Sequence, residues 1–430
     1  MTSNPSSTSI EPPASAGDSS NRLRGREYFF LWAGAAIALS EIWAGGLLAP
    51  LGLSAGLAVI ILGRLIGNLP MAIAGHIGAV TGEPSMVTTR GALGRRGSYL
   101  PAALNVLQLI GWTAVMLWIG GQAASKLAPS VSADPRVWVV AIGVLTTLWA
   151  LGGPRVWRRL QQISVILLAL LCVAMTVLFV SKYDLGGLLR EDGRGGMPFM
   201  VALDLAIAMP ISWMPLAADY ARHAASPRGA FWGTYLGYFA GGVWMYALGI
   251  AAAIAANSNT PDAVLMGMMA EAGWAAAALV IVLISTVTTT FLDVYSHAVS
   301  LSSIREKISV RTGILLCGGL GTLFALFMDP TRYEHFLLMI GSVFCPLFGV
   351  VLVDFFVRHR GRYDARVLRA GSVNPVWNGF NIPGVAAWVI GCIAFHAIAG
   401  LAAWLGASLP SMAVSGFVYF VFSLKRDARS

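Results

Sequence analysis

The sequence predicts an all-α polytopic membrane protein with twelve transmembrane helices. Three observations predict it. The 430 residues are 57% hydrophobic and only 11% charged, where a soluble domain carries about 25% charged residues. Apolar stretches longer than about 18 residues recur along the whole chain. The weak alternating segments of about ten residues that mark an outer-membrane barrel are absent. Inside a bilayer each span must satisfy its own backbone, so the spans are helices.

Residues 1–24 are rich in Ser, Pro and Thr and end in a basic cluster, Arg22 and Arg24, followed by Arg26. With no apolar core after the initiator, this stretch reads as a disordered tail and not as a secretory signal. The spans follow near 28–49, 54–74, 99–124, 137–152, 160–180, 199–219, 231–256, 274–298, 312–328, 334–357, 378–398 and 402–423. Their loops set the orientation. With the N-terminus inside, the inner segments hold 22 of the 29 Lys and Arg, the outer loops hold six, and Arg64 lies within a span. That asymmetry places both termini in the cytoplasm. It also accounts for the net charge of +9 without a nucleic-acid partner.

The first span contains "SEIWAGGLLAP" (40–50), where Glu41 stands beside Gly45 and Gly46. Paired glycines weaken a helix at mid-membrane, but small residues also let membrane helices pack closely. The second span contributes Arg64, at a depth similar to Glu41. The sixth, "AIAMPISWMPLAADYARH" (206–223), carries Pro210 and Pro215 around Ser212 and Trp213. Proline removes a backbone donor and clashes with the preceding turn. Spans 1 and 6 therefore both read as interrupted, five apart and running in opposite directions. Interrupted helices at matching positions of two halves mark a transporter's binding site. The expected organisation is repeat 1 over 25–184, repeat 2 over 197–357, two further helices over 372–424, and a cytoplasmic tail over 425–430.

Span 8 adds hydroxyls in "STVTTTFLDVYS" (285–296). Thr288, Thr289 and Thr290 either bond back to their own helix or supply oxygens to a hard cation, for which oxygen is the preferred ligand. Cys172, Cys317, Cys345 and Cys392 lie in apolar runs and read as small buried hydrophobes, not as a disulfide framework or zinc site. The six histidines are scattered, and no metal-protease or paired-carboxylate spacing appears. The acidic or histidine clusters expected of a membrane enzyme are missing. Inverted internal symmetry argues against a channel.

The motifs "WAGG" (43–46), "HIGAVTGEPSMVTTRGALGRRGSYLP" (76–101), "QLIGWTAV" (108–115), "ADYARH" (218–223), "TTTFLDVYS" (288–296) and "PLFGVVLVDFF" (346–356) resemble, in order, the nucleobase:cation symporter-1 family of cytosine, hydantoin and allantoin permeases. The resemblance implies a five-plus-five inverted-repeat fold like that of the sodium-coupled leucine transporter. It also implies a place in the bacterial cytoplasmic (inner) membrane and no prosthetic cofactor, the coupling ion being sodium or a proton. Within the family the chain looks most like the hydroxymethylpyrimidine permeases, which implies import of the pyrimidine precursor of thiamine; cytosine or another nucleobase is the alternative. The sequence carries no mark of oligomeric state.

Carried over residue by residue, the resemblance makes Trp112 the ring that stacks on a flat heterocycle. Met116 stands where hydantoin-type relatives carry glutamine, which puts hydantoin-like hydrogen bonding in doubt. Pro210 stands where cytosine permeases carry phenylalanine, with Trp213 one turn on and Ser212 as a hydroxyl. Thr288 and Thr289 align with sodium-binding hydroxyls, to be completed by span 1 backbone near Leu39–Trp43. Thr290 replaces an amide-bearing substrate residue. Asp219 and Arg222 are expected as an ion pair or gate, and Asp293 as either a solvated or helix-paired acid near the inner end of its span or a functional group. Glu41 departs from the small residue of cytosine permeases. It either pairs with Arg64, or binds an aminopyrimidine, or carries a coupling proton. On the two functional readings, Glu41→Gln would abolish or greatly weaken uptake and leave folding intact.

Overall fold

In the computed structural model the described residues are 22–427 except 153, 259, 330–331, 364–367 and 369–377. The expected disordered tail therefore lies mostly outside the described residues. The chain is helical almost throughout, and each of the twelve expected spans corresponds to a helix or a helix pair. Eight are long and apolar enough to cross a membrane. Gly25–Ala36 with Leu39–Gly46 forms a ninth as a broken pair, and Pro135–Leu151, Val310–Ala325 and Ser408–Leu424 are shorter apolar helices.

Span 1 breaks, but not where the glycines predict. Its two halves meet at 58°, and the break is at Ile37 (φ −83°, ψ 76°) and Ala38 (φ −136°, ψ 150°). Ile37 is pinned there by the Ser285 hydroxyl of span 8, which donates to its carbonyl at 3.0 Å. Gly45 is helical and serves close packing instead. A Cβ on Gly45 would strike the Tyr246 backbone of span 7, and one on Gly249 would strike the Ile42 carbonyl. The second half of span 1 thus lies directly on the backbone of span 7. Gly249→Ala is expected to destabilise the folded protein by about 1–3 kcal/mol through overpacking. Gly319→Ala in span 9, where a Cβ meets nothing within 4 Å, is the control; thermal unfolding in detergent compares them.

Span 6 corrects a second expectation. The helix runs unbroken from Phe199 to Ala221 with both prolines inside it. Membrane helices tolerate proline where neighbours pack the freed turn. Here the Pro210 ring sits against Gly67 of span 2, where a Cβ would come within 2.6 Å of it.

Both ends of the helix bundle are closed over its middle. On the face where span 1 starts, Tyr28 donates to the Tyr220 carbonyl at 3.0 Å and Tyr220 donates to the Leu292 carbonyl at 2.9 Å. Leu23 pairs with the backbone of His223 and Ala225 in a short parallel bridge. On the opposite face Tyr333, at the start of span 10, donates to the Ser40 carbonyl at 3.2 Å, and Gly195 N–H donates to the Pro50 carbonyl at 3.1 Å. Span 11 is tied to span 10 by Trp388 Nε1, which donates to the Val343 carbonyl at 2.8 Å, and span 12 is tied to the rest through acids. The Asp204 carboxylate accepts from the N–H groups of Ala407 and Ser408 (2.5 and 3.0 Å) at the start of span 12. Asp354 accepts from the hydroxyls of Tyr419 and Tyr363 (2.6 and 2.8 Å).

Candidate substrate and cation site

The closed middle of the bundle is built from spans 1, 3, 6, 8 and 10. Trp112, in span 3, is buried and meets Phe336 and Tyr333 edge-on, with centroids at 5.4 and 6.1 Å. Tyr333 also touches Trp43, which lies against Trp118 at 5.3 Å. An aromatic box therefore sits beside the second half of span 1. Met116 is buried one turn beyond Trp112.

Several buried polar groups of spans 3 and 8 lack partners. Trp112 Nε1, Gln108 Oε1 and the hydroxyls of Thr289 and Thr290 are buried and make no hydrogen bond. Buried polar groups in native proteins are almost always satisfied, and an apolar site with a few convergent polar groups is the usual form of a small-molecule pocket. Gln108 lies one turn from Trp112 on the same face. Its amide nitrogen donates to Asn105 Oδ1 at 2.8 Å and to the Ser212 carbonyl at 3.1 Å, while Asn105 donates to Ser300 at 2.8 Å. Spans 3, 6 and 8 are joined at one level by this chain.

The other predicted residues divide. Ser212 is buried at that level, its hydroxyl donating to the Met209 carbonyl at 2.6 Å. Trp213 turns away and packs edge-on against Trp32 and Tyr238, at 5.8 and 6.3 Å; no ring contact joins it to Trp112 among the described residues. Pro210 faces span 2. Thr288 bonds back to the Ile284 carbonyl at 2.7 Å, leaving Thr289 as the unpartnered hydroxyl opposite the break. Ser285 holds the Ile37 carbonyl, just before the expected Leu39–Trp43 stretch.

Glu41 and Arg64 form the expected pair. Arg64 Nη2 donates to Glu41 Oε2, and the Tyr238 hydroxyl donates to Oε1. The guanidinium also lies over the Tyr246 ring, 4.1 Å from its centroid. Arg64 is 0% exposed and Glu41 2%. Both carboxylate oxygens are thus engaged by protein groups. Asp219 and Arg222 do not pair. Asp219 Oδ1 accepts from the Ser85 N–H at 2.8 Å, and Ser85 Oγ accepts from the Ala218 N–H at 3.0 Å, joining span 6 to the turn Ser85–Thr88. Arg222 donates to His223 at 3.1 Å. Asp293 is neither solvated nor ion-paired: it is 2% exposed and its Oδ2 has no partner.

Sequence reasoning passed over Gln108, Ser285, Tyr333 and the tyrosines around Glu41. Gln108 had a signal, being an uncharged polar residue four before Trp112 inside an apolar span. Tyr333 had none, since its contact with Ser40 joins positions 293 apart.

Comparison with known proteins agrees with this architecture. The family described as "Permease for cytosine/purines, uracil, thiamine, allantoin" matches residues 17–421. The chain belongs to this permease family. The cytosine permease of Escherichia coli strain K12 is 26% identical over 382 residues, covering 86% of this chain and 87% of the relative. The purine-uracil permease NCS1 of Arabidopsis thaliana is 23% identical over 448 residues, covering 91% and 74%. Among solved structures, Mhp1, a nucleobase-cation-symport-1 family transporter in a closed conformation with bromovinylhydantoin bound, superposes with a TM-score of 0.82. It is 18% identical and covers 95% of this chain and 94% of its own. The fold is thus all-helical and shared with Mhp1, and this permease is a multi-pass membrane transporter, not an enzyme.

Proposed function

We propose that this permease imports a planar nucleobase-like pyrimidine, with hydroxymethylpyrimidine as the first substrate to test and cytosine the second. The observation that supports it most is the set of unpartnered polar atoms beside the Trp112 aromatic box. A flat ring against Trp112 gains stacking energy. A heterocycle with ring nitrogens and an exocyclic amine offers both donors and acceptors, as Gln108 Oε1, Trp112 Nε1 and Thr290 Oγ1 require. Met116 adds apolar surface only, which disfavours a ring needing a hydrogen bond there. The repeats 25–184 and 197–357 then rock about the site, with both termini in the cytoplasm.

Coupling is to a monovalent cation. For sodium, Thr289 and the carbonyls around the break in span 1 are the oxygen donors at hand, with Thr288 beside them. Titrating purified protein with hydroxymethylpyrimidine and with cytosine, each with and without sodium, by tryptophan quenching tests the reading. Saturable quenching by either pyrimidine is the expected result, tighter for hydroxymethylpyrimidine. Saturable binding by hydantoins alone would overturn it.

A further inference from the structure

Among the described residues five carboxylates lie buried in or at the ends of the spans, and four have their charge answered. Glu41 has Arg64 and Tyr238; Asp204 has two backbone N–H groups; Asp219 has the Ser85 N–H; Asp354 has two tyrosyl hydroxyls and Arg358 at 3.7 Å. Asp293 alone among them has no hydrogen bond and no cation. Leaving an unpaired charge inside a membrane span is costly, and no group described around Asp293 offsets one there.

Its depth follows from two contacts. Asn105 of span 3 bonds to Ser300 of span 8, and Gly120 lies against Thr286. The two helices are therefore antiparallel, and Asp293, midway between Thr286 and Ser300, stands level with Trp112, midway between Asn105 and Gly120. From span 9 Cys317 packs with Val294 in one apolar cluster, and from span 6 the Tyr220 hydroxyl donates to the Leu292 carbonyl at 2.9 Å. From span 3 the neighbour of Cys317 is the uncharged Thr113, at 3.5 Å. On span 8 itself the next titratable group on the same face is His297, four residues towards the face where span 1 starts, with Nδ1 buried and unpartnered.

We propose that Asp293 is the residue that carries the coupling proton. With the site open to the outside, its carboxylate takes a proton from water and becomes neutral. That lets spans 3, 8 and 9 close over it without burying a charge. With the site open to the cytoplasm, the acid returns the proton to water past His297. One proton crosses inward per cycle, and the empty carrier returns with Asp293 as the carboxylate, solvated by the water that refills the vacated substrate site. Glu41, the other acid near this depth, is fixed by Arg64 and does not serve. This assignment rests on the reading of the chain as a coupled pyrimidine importer.

The experiment uses the full-length protein in proteoliposomes, with labelled hydroxymethylpyrimidine and cytosine and a pH-sensitive dye in the lumen. Counterflow by the wild type reports the transport reading by itself. For the proposal, an outside-acid gradient is expected to raise wild-type accumulation several-fold and to acidify the lumen as substrate enters. Asp293→Asn keeps counterflow but loses both responses, and Asp293→Glu retains them with a shifted pH profile. Gradient-driven accumulation by Asp293→Asn at the wild-type level would overturn it. So would wild-type accumulation that follows a sodium gradient with no proton movement.

Discussion

Glu41→Gln is expected to unfold this permease more readily, and not to give a folded but inactive protein. Arg64 is wholly buried, and its Nε and Nη1 already lack hydrogen-bond partners. What offsets its charge is Glu41, assisted by the face of Tyr246. Removing one partner of a buried ion pair costs about 3–5 kcal/mol, because the other charge stays behind unpaired. Removing both is far milder. Glu41→Gln combined with Arg64→Met is therefore expected to recover most of the stability that the single change loses. Thermal unfolding of the four proteins in detergent reads the coupling directly. If Glu41→Gln unfolds at the wild-type temperature yet transports nothing, Glu41 has a direct role in substrate or ion handling.

Trp112→Ala is expected to weaken pyrimidine binding by about 10- to 100-fold, since stacking of a base on an aromatic ring is worth about 1–3 kcal/mol. Trp112→Phe keeps a flat face and loses less. Trp213→Ala makes the informative contrast. Its ring packs between Trp32 and Tyr238, so its truncation lowers stability and leaves affinity within a few-fold. Competition binding with unlabelled hydroxymethylpyrimidine ranks all three. A larger affinity loss for Trp213→Ala than for Trp112→Ala would move the ring to the span 1 and span 7 side.

Membership of the family and the positions of the apolar helices were legible because both are local properties. Apolar runs of about 20 residues identify a span without any partner, and the motifs "QLIGWTAV" and "TTTFLDVYS" are contiguous. Two local rules misplaced structure. Paired glycines pointed to a break at Gly45, where the helix instead uses them to lie on span 7. Pro210 and Pro215 pointed to a break in span 6, where Gly67 and its neighbours accommodate them. The ion pair of Asp219 with Arg222 failed similarly: spacing on one helix suggested it, but a backbone N–H from another helix reached Asp219 first.

Taken alone, the order of residues determines that this protein is an all-helical, multi-pass membrane permease of this family, with Trp112 and the threonines in two of its apolar helices. Composition and contiguous motifs suffice for that, because the bilayer forces each span to satisfy its own backbone. Only the tertiary structure decides which buried groups are answered and which are left over. Glu41 and Asp293 look alike in sequence, each a lone acid in an apolar helix. Arg64 and Tyr238 reach the first from spans 2 and 7, and among the described residues no cation reaches the second. Charge compensation in a medium of low dielectric depends on atoms within a few ångströms, and those atoms come from helices far apart along the chain.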